Sequence, residues 1–404
     1  MKISIVSYVY WPENFLINEL AQNLVLKGHK VKVSTSLPNY QSGSFSDGYS
    51  LRGPYYENRQ GVEIYRHPVV PRRRSIYFLT LNYASNILFG FLNLFRMWKT
   101  DVYFAFAVSP ILNLIPAIIF KKITKKPLVV WYQDLWPDSF FAVIKKKDQG
   151  LLSYLLNFAV KFIYNNTDVM LIQNPMFAEN LKRLGYDGKI HTVYNWAPSF
   201  GQGKNEQPDW MGSIPQDKFI ITFAGNIGKV QGLESVIEAA RRLELLDKEI
   251  FFLFVGDGNY LADLKKQAAG SSNILFAGRR PLSEMPLLFE KSDALLVSLA
   301  RDKAFGLVIP SKLQAYMSAG KPILGFLDGA GAKVIQDSRC GLVAPAQDTM
   351  TFIEMVLKMK QQDSHYLLEY GRRGKAFFDQ NFDSVKNINF IETVLSEVTR
   401  NHRA

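Results

Sequence analysis

The run Phe219-Ile220-Ile221-Thr222-Phe223-Ala224-Gly225-Asn226-Ile227-Gly228-Lys229-Val230-Gln231-Gly232-Leu233-Glu234 decides the fold class. Its first six residues, rich in β-branched and aromatic side chains, read as a buried strand. The chain then enters a glycine loop. Leu233, Val236, Ile237 and Ala240 mark one face of a helix that follows. Strand, loop and helix in that order are half of a parallel βαβ unit. Glycines let backbone approach a phosphate closely, and Lys229 stands where it can pair with one. The spacing is G-x-x-G-x-x-x-G, which is not the dinucleotide fingerprint. Taken alone, the loop suits an ordinary strand-to-helix turn equally well.

A second stretch points the same way. Pro310-Ser311-Lys312-Leu313-Gln314-Ala315-Tyr316-Met317-Ser318-Ala319-Gly320 reads as a short helix, with Ser311 as N-cap and Gly320 as C-cap. The helix dipole disfavours a cation at its start, yet Lys312 is there. A phosphate at the open N–H groups resolves that conflict. The bland alternative is a solvated surface helix.

The alternation extends over the whole chain. Strands fit Ile3–Ser7, Lys30–Thr35, Val62–Arg66, Val102–Ala105, Leu128–Tyr132, Val169–Gln173 and His191–Tyr194 in the first half. In the second they fit Phe219–Ala224, Ile250–Gly256, Asn273–Ala277, Ala294–Ser298 and Pro322–Gly325. Helical segments such as Leu16–Lys27 lie between them. This is an α/β pattern of two doubly wound, Rossmann-like domains. Pro198, Gly201, Gly203, Pro208, Gly212 and Pro215 mark a linker between the halves. The expected domains are 1–196, a linker 197–217, a second domain 218–382 and a C-terminal helix 383–404 that returns to the first. Ligands of such sheets bind at the carboxyl ends of the strands, so the site is expected in the cleft between opposed domains.

Composition bounds the partners. The chain has 404 residues and a net charge of +12. Residues 1–200 hold 23 Lys and Arg against 12 Asp and Glu, a net of +11, which leaves +1 for the rest. A basic half beside a neutral half suggests an anionic partner for the first domain. The basic clusters do not sit on one recognisable nucleic-acid reading element, so nucleic acid is the weaker candidate. Cys340 is the single cysteine, which excludes an internal disulfide framework and fits a reducing cytoplasm. The five histidines are scattered and no Asp-x-Asp triplet occurs, so no metal site is expected. Lys2–Ser7 reads as a strand, not a signal peptide. The run Phe104–Phe120 is interrupted by Ser109, Pro110, Asn113 and Pro116, and reads as a buried strand followed by a helix starting near Pro110.

Arg72-Arg73-Arg74 precedes an apolar region that includes Phe78, Phe91 and Trp98. Lys121-Lys122, Lys125-Lys126 and Lys145-Lys146-Lys147 add charge. Basic clusters next to aromatic and aliphatic residues suit an anionic membrane surface. The alternative is a core helix with solvated lysines.

Several motifs, in order, carry a family resemblance: Tyr10-Trp11-Pro12-Glu13, Gly28-His29-Lys30-Val31, Pro38-Asn39-Tyr40, Gln133-Asp134-Leu135-Trp136-Pro137-Asp138-Ser139, Tyr194-Asn195-Trp196, Ala224–Lys229 and Pro310–Leu313. Over essentially its whole length the chain resembles the GT-B retaining glycosyltransferases of family 4. Within them it looks like the bacterial O-antigen and capsule enzymes related to N-acetylated L-fucosamine transferases. The resemblance implies a nucleotide-sugar, most simply UDP-linked, bound as substrate by the second domain, with no cofactor. It implies a polyprenyl-diphosphate-linked saccharide acceptor at the first domain, and an enzyme peripheral on the inner face of the cytoplasmic membrane.

It also implies roles for residues. Lys229 and Lys312 neutralise the leaving diphosphate. Gly225, Asn226, Gly228, Gln231, Arg279, Phe305, Gly306, Leu307, Ser311 and Gln314 contact the donor. Asp134 and Gln133 stand at the reacting centre, Glu13 and Asn14 on the first-strand loop. The family's basic diphosphate contacts fall on Asn226 and Gln231, its ribose-binding acid on Ala315, and its His-Asp pair reads Gln133-Asp134. In such retaining enzymes the leaving phosphate serves as base, so a missing histidine does not abolish activity. Asp134 also reads as a helix N-cap after a strand. Two other functions fit the same fold: a sugar-nucleotide epimerase, which calls for a histidine-rich cleft, and a non-catalytic membrane or saccharide-binding subunit.

Overall fold

A computed structural model describes residues 1–40, 43–73, 75–137, 140, 150–196, 207–302 and 305–403. Arg74, Lys145–Lys147, Asp138-Ser139 and the first half of the expected linker lie outside the described residues. The chain forms two compact units, residues 1–195 with 385–404, and residues 196–384.

The first unit is built on β1 (Lys2–Ser7), α1 (Leu16–Leu26), β2 (Lys30–Ser36), β3 (Tyr56–Arg59), β4 (Val62–His67), α2 (Ile76–Leu94), β5 (Val102–Ala107), α3 (Ile115–Thr124), β6 (Leu128–Tyr132), α4 (Leu151–Asn165), β7 (Val169–Ile172), α5 (Phe177–Arg183) and β8 (Lys189–Thr192). Its eight strands run in the order β3-β4-β2-β1-β5-β6-β7-β8. All neighbours pair in parallel except β3 and β4. Strands β5, β6 and β7 are buried at every position, as expected of a parallel sheet covered on both faces. Strand order reverses between β1 and β5, the switch point at which such sheets bind ligands.

Two strands escape the sequence reading for a physical reason. β3 is polar and joins β4 through Gln60 and Gly61, both with positive φ, as a two-residue hairpin turn requires. The strand β14 described below is four residues long and begins on glycine. Strand β8 begins two residues before the expected His191 because pairing with β7 fixes Lys189 opposite Val169. The Phe104–Phe120 run does divide into the end of β5 and a helical segment, a 3-10 turn from Ile111 leading into α3.

Helix α2 is inverted. Its buried face carries Asn82, Asn86, Gly90 and Asn93. Asn82 accepts from the Tyr8 hydroxyl at 2.6 Å and donates to Val70 O at 2.6 Å. Asn86 Oδ1 meets His67 Nε2 at 2.8 Å, and Asn93 donates to Tyr65 O at 2.9 Å and to His67 Nδ1 at 3.2 Å. The opposite face exposes Tyr77, Leu88 and Leu92, with Phe95 just beyond the helix. The segment Tyr77–Met97 is long and apolar enough to span a bilayer by composition alone, but one face is tied down by these hydrogen bonds. The C-terminal helix Ser384–Arg403 also packs on this unit, where Glu392 pairs with Lys27 at 2.9 Å and His29 at 2.7 Å.

The second unit contains β9 (Phe219–Ala224), α6 (Leu233–Leu246), β10 (Ile250–Val255), α7 (Leu261–Gln267), β11 (Ile274–Gly278), α8 (Met285–Glu290), β12 (Ala294–Ser298), α9 (Ser311–Ser318), β13 (Ile323–Phe326), α10 (Gly329–Ser338), β14 (Gly341–Ala344), α11 (Thr349–Lys360) and α12 (Ser364–Asn381). Its six parallel strands follow the order β11-β10-β9-β12-β13-β14, the doubly wound order of nucleotide-binding sheets, with the switch point between β9 and β12.

Candidate active site

In the second unit the polypeptide leaves β9 at Gly225, whose φ is +143°. A Cβ there would collide with Lys312 Cε, and one at Gly256 would strike the Gly225 carbonyl. Glycine is therefore needed at both positions to let the Lys312 side chain and the β10 loop close on the end of β9. The loop continues through Asn226 and Gly228 into a 3-10 turn, Lys229–Gln231, then Gly232 with φ +58°. The Gln231 amide oxygen accepts from Gly228 N–H at 2.9 Å, and its carbonyl accepts from the Ser298 hydroxyl at 2.6 Å. The expected donor contact Gln231 thus spends its side chain bracing the loop.

Helix α9 is anchored beneath this loop. The buried Tyr316 hydroxyl accepts from Ala224 N–H at 2.8 Å and donates to Ala224 O at 3.0 Å. Pro310 is the N-cap and Ser311 the first helical residue, a correction to the expected Ser311 cap. Leu313 N–H donates to Pro310 O at 3.0 Å, and no side chain among the described residues caps this end, which leaves the Ser311 and Lys312 N–H groups open. At the other end Ala319 is the C-cap and Gly320, with φ +67°, lies one residue beyond it. Lys312 Nζ lies 5.0 Å from the Phe223 ring centre, and burial pushes its pKa down. No carboxylate pairs with it among the described residues. A partly desolvated ammonium beside open helix N–H groups is a site for an anion.

Lys229 is placed differently. It is exposed, with Nζ 5.4 Å from the Tyr260 ring centre. Asn226 is exposed and Gln314 buried. Arg279 is exposed after β11, whereas Arg280 stacks on Trp210 at 4.4 Å and donates to Ala277 O. Phe305–Leu307 forms a 3-10 turn, and the Gly306 carbonyl lies so close to Gly329 that a Cβ there would collide with it.

In the first unit, Asp134 follows β6. Its carboxylate accepts from Ser109 N–H at 2.6 Å, joining the β5 and β6 loops. Burial raises its pKa, against the pull of that hydrogen bond and of Arg72. Gln133 Oε1 accepts from Asn195 at 2.8 Å, and its carbonyl accepts from Gln173 at 2.6 Å. Glu13 is buried and its carboxylate takes the Tyr40 N–H, which fixes the loop after β2; Asn14 is exposed.

Arg72 is half-buried, with its guanidinium 4.3 Å from the Tyr40 ring centre at the carboxyl end of the sheet. Arg73 is exposed over Phe78 at 4.9 Å. Phe78 and Phe91 are half-buried, and exposed Trp98 packs edge-on to Phe120. Tyr316, Asn82 and the Arg72 environment were missed because their partners are distant in sequence. A tyrosine four residues after Lys312 on a short helix was the one available signal.

Two family models match this chain: "Glycosyl transferase 4-like domain" over residues 16–196 and "Glycosyl transferases group 1" over residues 206–375. The chain belongs to the group 1 glycosyltransferases with a 4-like first domain, and its fold is GT-B. It is 29% identical over 338 residues to the Escherichia coli (strain K12) protein named for colanic acid biosynthesis as glycosyl transferase WcaI, covering 79% of this chain and 82% of that one. It is 25% identical over 267 residues to the Pseudomonas aeruginosa protein named glycosyltransferase WbjE, covering 63% and 64%. Among solved structures, Anabaena HepE in complex with UDP superposes with a TM-score of 0.67 at 14% identity, over 98% of this chain and 100% of that one. Sucrose-phosphate synthase from Thermosynechococcus elongatus gives 0.67 at 13%, over 99% of both chains.

Proposed function

We propose that this glycosyltransferase moves a sugar, in the simplest case an N-acetylated amino sugar, from a UDP-linked donor to a polyprenyl-diphosphate-linked saccharide in bacterial surface-polysaccharide synthesis, with retention at the anomeric carbon. The names of the Escherichia coli and Pseudomonas aeruginosa relatives support the class of reaction. The observation that carries the donor assignment is Lys312, drawn against Gly225 at the switch point of the second sheet without a carboxylate partner among the described residues.

Departure of a nucleoside diphosphate builds negative charge on the leaving oxygen. Lys312 and the open N–H groups of α9 supply fixed positive charge there, a role otherwise open to a divalent metal. The phosphate then takes the proton of the acceptor hydroxyl. Asp134 orients that hydroxyl at the first unit.

The inverted helix α2 supports attachment to a membrane. Its outward residues are joined by exposed Ile119 and Ile123 on α3 and by Tyr154, Leu155 and Phe158 on α4. Lys122, 5.1 Å from the Phe162 ring centre, adds charge between α3 and α4. An apolar surface beside lysines fits an anionic bilayer on the cytoplasmic side.

The test is donor hydrolysis by purified protein across a panel of nucleotide sugars, with and without EDTA. One UDP-sugar is expected to be cleaved preferentially and equally well in EDTA. Cleavage of none, or full dependence on added metal, sinks the reading.

A further inference from the structure

Helix α2 and the first sheet leave between them a cavity of about 20 Å³ near the carboxyl ends of β1, β4 and β5. Ser7, Ser34, His67, Asn86, Gly90 and Asn113 are on its wall. Asn113 lies on the 3-10 turn after β5 and is only 7% exposed. Its Nδ2 and Oδ1 are both buried without a hydrogen-bond partner among the described residues. Native proteins rarely leave such groups bare, and internal water serves them where space allows. Asn86 lines the same cavity from α2. Its Oδ1 is taken by His67, and its Nδ2 has no acceptor among the described residues.

A second, independent observation is Gly90. It lies inside α2, where glycine is less stable than alanine. Crowding does not demand it. A Cβ there would meet Pro116 Cγ at 3.6 Å and His67 Cε1 at 3.8 Å, both ordinary contacts. Pro116 and His67 line the cavity too, so an alanine methyl group would take up part of it.

The wall selects the occupant. No charged side chain lines the cavity. His67 is neutral, because Asn93 donates to its Nδ1 while its Nε2 donates to Asn86 Oδ1. A cation would find no carboxylate there, and an anion no positive charge. A cavity that stays dry has apolar walls, whereas a water needs roughly 10–15 Å³ and two to four polar partners.

We propose that this cavity is a binding site for internal water, held by the Asn113 amide and by Nδ2 of Asn86. The Ser34 hydroxyl adds a further polar group to the wall. The water joins α2 to the turn after β5. That turn starts two residues beyond Ser109, whose N–H holds Asp134. The joint therefore braces the loop that fixes this carboxylate. The proposal does not depend on the donor or acceptor assignment.

The experiment is crystallography of the full chain with and without xenon pressure. Alongside it, magnetic relaxation dispersion of water counts long-lived internal waters in wild type and Asn113→Leu. Water density is expected within hydrogen-bond reach of the Asn113 amide, with no xenon in the cavity. Asn113→Leu should hold at least one long-lived water fewer. Its thermal midpoint should fall, since Asn86 loses its partner, whereas in a dry cavity removal of an unpaired amide would raise it. Gly90→Ala should bring no rise in midpoint, although alanine is the better helix former and would stabilise a dry site. Xenon or no density in the cavity, an equal count of waters, or a raised midpoint in both variants overturns the inference. If a variant folds poorly, the wild-type density decides.

Discussion

The hydroxyl of Tyr316 closes on both backbone polar groups of Ala224, accepting from its N–H and donating to its C=O. One side chain therefore ties α9 to the last residue of β9 and sets the spacing between Lys312 and the Gly225 loop. Tyr316→Phe removes both hydrogen bonds from these part-buried backbone groups. Urea denaturation should show a loss of about 1–3 kcal/mol, and UDP affinity should fall with it. An unchanged midpoint would show that water replaces the hydroxyl at no cost.

Lys312 is the cation expected to matter most for turnover. Lys312→Ala should lower kcat/KM at least 10-fold, since one charged donor at a developing anion is typically worth a few kcal/mol. Stability should hold or rise, because a partly desolvated charge is removed. Lys229→Ala should cost less, because that ammonium is exposed beside Tyr260. Equal losses in both variants, measured by steady-state kinetics, would reverse this ranking.

Gly225→Ala should abolish donor binding. The backbone there has φ +143°, and the new methyl group would displace Lys312. Calorimetry with UDP reads this directly, and binding at wild-type strength would show that Lys312 need not lie across the glycine.

His67 should confer acid sensitivity. Burial pushes its pKa down from 6.5 to about 4, against the raising effect of the Asn86 hydrogen bond. Between those values the unfolded chain binds a proton that the folded one does not. Stability is therefore fully present above pH 6.5 and falls as the pH drops towards 4, by about 3 kcal/mol for a shift of that size. His67→Gln should flatten this part of the stability profile relative to wild type. Parallel profiles for the two proteins would show that His67 is not the titrating group.

Membrane attachment should depend on the outward face of α2 more than on the arginine run. Leu88→Glu with Leu92→Glu should abolish sedimentation with anionic vesicles. Arg73→Gln should weaken it only partly and in a salt-dependent way, because such attraction is screened over about 10 Å at 0.1 M salt. Retained binding by the Glu double variant would remove α2 from the interface.

The central strands were legible because parallel strands covered on both faces are written as unbroken apolar runs such as Phe219–Phe223 and Leu128–Tyr132. The polar edge strand β3 was not, since its pairing depends on the Gln60-Gly61 turn rather than on hydrophobicity. Lys312 and Gly225 were legible separately, as a charge at a helix start and a glycine after a strand. Their contact was not, because it joins residues nearly ninety positions apart and depends on the sheet order. The surroundings of Arg72 were not legible for the same reason. Three consecutive arginines look alike in sequence, and only the Tyr40 ring beside Arg72 distinguishes it from Arg73.

The asparagine face of α2 has a consequence for handling the protein. Detergents and lipids compete for apolar contacts, not for amide hydrogen bonds in a closed network. Surfactant can coat the outward leucines while the Asn82, Asn86 and Asn93 bonds hold the inner side. Surfactant at that outer face should therefore not loosen the helix from its sheet.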